Sequence, residues 1–153
     1  MRSDLASNRY SLIFSFNNIG YSLFGTRLSE NIMTKRDIEL ARSTKGKIHI
    51  AHVSTKEAME YIIEAKSNGY SNITLEVTPH HIALNTEMSN YRVNPPIREE
   101  EDRKFLIDSI KKGYVDAIGT DHAPHSKEDK EKGAPGMVGL ETAFSIRAEE
   151  HTS

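Results

Sequence analysis

The spacing of apolar residues along the chain changes several times, and each change marks a new element. Tyr10, Leu12, Phe14 and Phe16 alternate with Ser11, Ser15 and Asn17, the period of two expected for a half-buried strand. From Ser29 the period becomes helical. Ser29 is placed to cap a helix over residues 30–43, in which Met33, Arg36, Asp37 and Leu40 give a mixed apolar and charged face, and Gly46 ends it. Residues 48–53 (IHIAHV) form a compact strand. Ser54 and Glu57 then fit an S-x-x-E capping box. The helix that it opens carries Ala58, Tyr61, Ile62 and Ala65 at i, i+3, i+4 and i+7, so that one face is buried. Gly69 stands where a helix C-terminus needs a left-handed residue.

The next strand, residues 73–77 (ITLEV), is closed by Pro79. A loop through Asn94-Pro95-Pro96 follows, since two successive prolines exclude helix. Residues 99–112 are helical, with acidic side chains in the first turn and Lys111-Lys112 in the last, as the helix dipole favours. Leu106, Ile107 and Ile110 form the inner stripe and Gly113 stops it. A buried strand over residues 115–119, built on Val115, Ala117 and Ile118, leads into Asp121. A loop rich in Lys, Glu and Gly then runs to Gly139, and a last helix begins near Leu140. Strand–helix alternation repeated three times predicts an α/β fold of parallel β/α units. Residues 1–27 read differently from the rest. They are either a strand that pairs with an edge of the sheet or non-native sequence. The remainder, 28–153, reads as one unit.

Composition narrows the chemistry. The 153 residues are 37% hydrophobic and 27% charged, as in a globular protein, and the net charge of −2 leaves no basic footprint for nucleic acid or a membrane surface. There is no cysteine, so a metal would have to be held by histidine and carboxylate, which suits zinc or a similar divalent ion. No apolar run approaches a membrane span of about 18 residues. The stretch 10–24 fails as a signal peptide because Asn17-Asn18 interrupts it and no small-residue cleavage site follows. The expected location is the cytoplasm.

The polar residues fall where the strands end. His52 closes one strand, His80 and His81 follow the next, and Asp121, His122 and His125 follow the third (GTDHAPH, 119–125). Parallel strands point the same way, so the three clusters should share one rim, the place where parallel barrels keep their catalytic groups. Each residue also has a plainer reading. His49, on the opposite side of its strand from His52, would be a packed core residue, and His151 a solvated one. His52 alone could be a buried, hydrogen-bonded side chain. His80 and His81 could simply hydrogen-bond the rim loops, and Asp121 could cap a turn. Glu76 could be paired locally within its strand, and residues 127–132 could be a solvated charge run.

HVST (52–55), EVTPHH (76–81), VNPPIR (93–98), GTDHAPH and GLETA (139–143) come in the order and spacing found in bacterial dihydroorotase, and over residues 25–150 the chain resembles that amidohydrolase. The resemblance implies an incomplete TIM-like (β/α)8 barrel, the last three β/α units of a metallo-dependent hydrolase. It implies reversible cyclisation of N-carbamoyl-L-aspartate to dihydroorotate, with zinc as a binuclear cofactor. His52 would be a metal ligand; Asp121 would be both a metal ligand and the general acid/base. Asn94 and His125 would hold substrate, and Pro135-Gly136 would lie on a loop whose backbone closes over it. A homo-oligomer and an association with aspartate transcarbamoylase are the protein partners that it leaves open.

The family's His-x-His-x-Arg motif does not occur in this sequence, nor do its bridging acidic residue and a further ligand histidine. Zinc needs about three protein ligands, more than His52 and Asp121 supply, so the isolated chain is expected to be inactive and, with open sheet edges, to self-associate. A dihydropyrimidinase or allantoinase is the alternative within the superfamily. A non-catalytic scaffold related to dihydroorotase is the alternative outside catalysis.

Overall fold

Ile48 and Ile50 on one strand, and Ile73, Leu75 and Val77 on its neighbour, bury one face of a parallel sheet. The computed structural model describes residues 11–14, 26–141 and 143. In chain order its elements are β1 (Ser11–Phe14), α1 (Thr26–Thr44), β2 (Lys47–Ile50), α2 (Lys56–Ser67), β3 (Ile73–Val77), α3 (Pro79–Ala83), α4 (Glu100–Lys111), β4 (Ala117–Ile118) and α5 (Lys127–Glu131). The strands lie in the order β1-β2-β3-β4, all parallel, with helical crossovers between them as parallel pairing requires.

The sheet therefore has four strands where the sequence pattern gave three β/α units. Ser11–Phe14 runs along β2 from Ser11 opposite Lys47 to Phe14 opposite Ile50. Tyr10, Phe16 and His151, named above, lie outside the described residues.

The core is the layer between the sheet and its helices, built on Ile38, Ala41, Ile48, Ile50, Val53, Met59, Ile62, Leu75, Val77 and Leu106. α2 buries Ala58, Met59, Ile62 and Ala65, with Tyr61 only partly covered, and α4 buries Leu106 while Ile107 and Ile110 pack at its border. The other sheet face is polar: His49, Thr74 and Glu76 occupy it between the buried positions.

Four local expectations need correction. Helix α1 begins at Thr26, so Ser29 is inside it and caps nothing; its hydroxyl contacts Met33 Sδ at 3.8 Å. The buried side of α1 is Glu30, Thr34, Asp37, Ile38 and Ala41, whereas Leu28, Ile32 and Leu40 face outward. Thr55, not Ser54, caps α2, accepting from Ala58 N, because a distant carboxylate takes the Ser54 hydroxyl. Finally, β4 is only Ala117–Ile118 and lies at the end of the sheet, with Ala117 exposed and Val115 half-buried rather than enclosed. Residues 73–77 and the left-handed Gly69 (φ 86°) match the pattern.

No helix among the described residues is long and apolar enough to cross a membrane.

Candidate active site

At the C-terminal ends of β2, β3 and β4 the polar face of the sheet turns into a cluster of side chains. β2 stops at Ile50, and His52 takes a left-handed backbone (φ 56°); Asp121, beyond β4, does the same (φ 45°). A side chain other than glycine pays for that conformation in steric strain, and such residues gather at functional sites. The two turns bring His52 Nε2 to 3.6 Å from Asp121 Oδ1. The pair is therefore on one side of the molecule, as a shared rim demands.

Glu76 lies beneath them. Its Oε1 is 2.8 Å from His52 Nδ1, close but out of line for a hydrogen bond, and its Oε2 is 3.4 Å from His49 Nε2. The other ring nitrogen of His49 is 2.8 Å from Thr74 Oγ1. His49 thus serves the same cluster as His52 rather than the core; strand alternation failed as a guide because β2 ends before His52. Gly119 makes room for Glu76, since a Cβ there would collide with the Glu76 carboxylate.

Electrostatics follow from this packing. Burial alone would depress His52, but Glu76 and Asp121 outweigh it and hold the imidazole above its ordinary value. His52 holds the Glu76 carboxyl below the usual range, against the effect of burial. Burial lifts the Asp121 carboxyl above its ordinary value; His52 opposes this and Glu76 reinforces it. A carboxyl raised by burial at a strand-end cluster has the character of a proton-transfer group.

The remaining histidines have separate roles. His80 is buried, its Nε2 has no hydrogen-bond partner among the described residues and sits 3.9 Å from Asp121 Oδ2, and burial together with His52 lowers it to about 4. His81, also buried, contacts Thr78 Oγ1 at 2.6 Å and the Pro95 carbonyl at 2.9 Å, so it anchors the Asn94-Pro95-Pro96 loop. His122 Nδ1 accepts from the backbone N–H of Gly139 and Leu140 at 3.2 and 3.3 Å, which caps the helical turn that begins at Leu140. Its outward position in GTDHAPH is thus structural.

Backbone bonds tie the proposed substrate loops together. Gly136 N donates to Arg92 O (2.9 Å) and Ala123 N to Met137 O (3.0 Å), joining the loops of Asn94, His125 and Pro135-Gly136. A Cβ on Gly136 (φ 136°) would fall 2.7 Å from Ala123 O and 3.0 Å from His125 Cδ2, so glycine permits the close approach. Asn94 is half-buried and His125 exposed. The Gly136 N–H is already committed to Arg92 and does not point at a ligand.

A buried network fixes the loop that carries His52. Glu30, fully buried, accepts from Ser54 N (2.8 Å), Ser54 Oγ (2.5 Å), Thr55 N (3.1 Å) and Arg98 Nη2 (2.9 Å). Arg98 Nε also donates to Ser54 Oγ at 2.9 Å. Helix α1, HVST and VNPPIR are thereby joined by one carboxylate. Sequence reasoning missed Glu30; it read Glu76 as paired within its own strand, whereas its oxygens face His52 and His49, and it named Gly119 without its contact to Glu76. The available signal for Glu76 was a charged residue between Leu75 and Val77 in an otherwise apolar strand.

The donors do not amount to a metal site. His52 Nε2 and Asp121 converge, but no group of three or more such donors among the described residues could hold a metal ion.

No family model matches the chain. It is 57% identical over 139 residues to a dihydroorotase of Clostridium botulinum, covering 91% of this chain and 35% of that one. It is 50% identical over 129 residues to a dihydroorotase of Caldanaerobacter subterraneus, covering 78% and 30%. The chain is a partial relative of dihydroorotase. It spans about a third of the length of these dihydroorotases. Among solved structures, a D-hydantoinase (dihydropyrimidinase) from Thermus sp. superimposes with TM-score 0.72 at 26% identity, over 78% of this chain and 29% of that one. The L-hydantoinase (dihydropyrimidinase) from Arthrobacter aurescens gives 0.72 at 29% identity over the same shares. The small parallel sheet of this dihydroorotase relative matches part of the barrel of those proteins.

Proposed function

We propose that the chain supplies the last three β/α units of a dihydroorotase barrel, and with them the Asp121 side of its active site. The observation that carries this reading is the approach of His52 Nε2 to Asp121 Oδ1, 3.6 Å apart on two left-handed strand-end residues, in a chain with dihydroorotase relatives. In the cyclisation of N-carbamoyl-L-aspartate a ureido nitrogen bonds to the side-chain carboxyl carbon and water leaves. Asp121, with its proton affinity raised by burial, takes the proton from that nitrogen and returns it in the reverse, hydrolytic direction. Asn94 and His125 hold the substrate, and His125 contributes a charge-assisted bond to its carboxylate when protonated. Zinc is the cofactor implied by the family reading. His52 and Asp121 would be two of its donors, and the others must come from outside the described residues.

A chimera in which residues 28–150 replace the matching segment of the Clostridium botulinum dihydroorotase tests the reading. It is expected to hydrolyse dihydroorotate, and the Asp121→Asn version to lose at least about a hundredfold in rate, the usual contribution of a general acid/base. The isolated chain with zinc should show no turnover. A folded chimera inactive on dihydroorotate refutes the proposal; one that prefers hydantoin or dihydrouracil favours the second reading, a cyclic amidohydrolase like its hydantoinase neighbours. Turnover by the isolated chain would also count against it.

A further inference from the structure

We infer that Glu76 is a positioning residue that sets the orientation and tautomer of His52, fixing its proton on Nδ1 and turning a bare Nε2 toward Asp121. The inference deepens the proposed function and rests on it for the role of His52.

The geometry is specific. Glu76 occupies the polar face of β3 between two fully buried neighbours, Leu75 and Val77, so its backbone and the direction of its Cβ are fixed by the core strand. Its two oxygens engage different imidazoles, Oε1 with His52 Nδ1 at 2.8 Å and Oε2 with His49 Nε2 at 3.4 Å. His49 is fixed in turn through Nδ1 by Thr74 Oγ1 at 2.8 Å. The contacts therefore run in one line, Thr74–His49–Glu76–His52–Asp121.

The line has a direction. A neutral imidazole has one donor and one acceptor nitrogen. The carboxylate charge at 2.8 Å favours a proton on Nδ1 over a lone pair there even with the contact out of line for a hydrogen bond, so the proton belongs there. The competing carboxylate, Asp121, is farther from Nε2, at 3.6 Å, and the nearer charge prevails. Nε2 is left as the acceptor facing Asp121. The same arrangement, a carboxylate on one nitrogen and the working lone pair on the other, orients histidines in many reactive sites.

Gly119 supplies an independent argument. Its N–H is held by Val77 O at 2.9 Å, so its backbone cannot retreat, and any Cβ on it would overlap the Glu76 carboxylate. A larger residue at this position would have to displace the Glu76 carboxylate.

The test is ring-15N NMR of the histidines in the 153-residue chain, recorded on the alkaline side of the His52 titration where the ring is neutral. The wild-type chain is expected to show His52 protonated on Nδ1. Glu76→Ala should shift the tautomer ratio toward Nε2–H by about tenfold or more, as the loss of a contact to a charged group would. Glu76→Gln, which keeps the shape but not the charge, should shift the ratio in the same direction, because Asp121 is then the carboxylate facing the ring. Gly119→Ala should reproduce the Glu76→Ala spectrum with Glu76 still present. If Glu76 only braced His49, Glu76→Ala would lower stability and leave the His52 tautomer alone. That result, an Nε2–H signal in the wild type, or a Glu76→Gln tautomer ratio unchanged from the wild type overturns the inference. Should Glu76→Ala not fold, the Glu76→Gln and Gly119→Ala spectra decide. No readout is a turnover rate, so failure of the chimera and failure of this inference are separate results.

Discussion

Replacing Glu30 by Gln changes one buried atom and tests whether the loop behind His52 is held by a charge. In the wild-type chain Oε1 of Glu30 accepts from Ser54 N and Thr55 N, while Oε2 accepts from Ser54 Oγ and Arg98 Nη2. Glutamine retains only one acceptor oxygen. With that oxygen at the Oε1 position, its NH2 faces the Arg98 guanidinium across about 3 Å, donor against donor; flipped, it faces two backbone N–H groups. Either way a buried cation or two amides lose one acceptor, since Glu30 is fully buried and the Arg98 side chain nearly so. Removing one partner of a buried ion pair costs about 3–5 kcal/mol. Part of the Arg98 bonding survives through Ser54 Oγ, which places Glu30→Gln near the lower figure, about 3 kcal/mol. Out of a total stability of about 5–15 kcal/mol, that is a large fraction. Urea denaturation of Glu30→Gln, Arg98→Met and the double variant measures it. The double variant should be less destabilised than the sum of the singles, by about 1–3 kcal/mol, because the two residues share one ion pair and the second change removes the other half of it. A single-variant loss below about 1 kcal/mol, or strict additivity, would show that solvent reaches the network and that the loop is held by other means.

Two further changes probe neighbouring parts of the site. Burial, with His80 beside it, holds His81 well below the ordinary histidine value, and burial, with His52 nearby, holds His80 at about 4. Both rings are therefore neutral in the folded chain and protonate more readily in the unfolded one. Their contribution to stability is complete above the unfolded value of about 6.5 and is lost as pH falls from there toward 4. Denaturation midpoints measured across that window should decline with acid. His81→Gln should flatten the decline, and an unchanged slope would show that His81 does not contribute. Gly139→Ala would push a methyl group into the Thr120 carbonyl, next to Asp121. A loss of about 1–3 kcal/mol in the same assay is expected, as for other overpacked sites; a neutral result would mean that the 120–139 contact yields freely.

What could be read in the sequence depended on how far each signal had to reach. β3 was legible because alternation over Ile73, Leu75 and Val77 is a local property, and Pro79 closes it at once. The shared rim was legible too, since parallel strands place their ends together whatever their side chains. Errors arose where a partner lay far along the chain. Ser54 has the sequence of a helix cap, yet Glu30, 24 residues earlier, captures its hydroxyl, and the cap passes to Thr55. Helix α1 was misjudged for the same reason. Its buried Glu30 is paid for by Ser54, Thr55 and Arg98, none of which is near it in sequence, while apolar Leu28, Ile32 and Leu40 remain outside. His49 was placed on the wrong side because the left-handed turn at His52 cannot be seen in a pattern that assumes continued strand.

The same distinction separates what this chain can position from what it can complete. Orientation of His52 and Asp121 needs only parts present here: two left-handed turns, Glu76 against Gly119, and the Glu30–Arg98 network behind the HVST loop. Each is made by the four parallel strands and the segments that join them, so the described residues suffice to build it. A closed coordination shell is different, because its donors must converge from strands around the whole circumference. The four strands here bring one imidazole and one carboxylate to 3.6 Å, with His80 another 3.9 Å from that carboxylate, yet no group of three or more such donors among the described residues could hold a metal ion. On the proposed reading, the chain should therefore hold His52 and Asp121 in this geometry, including the His52 tautomer, without turnover of its own.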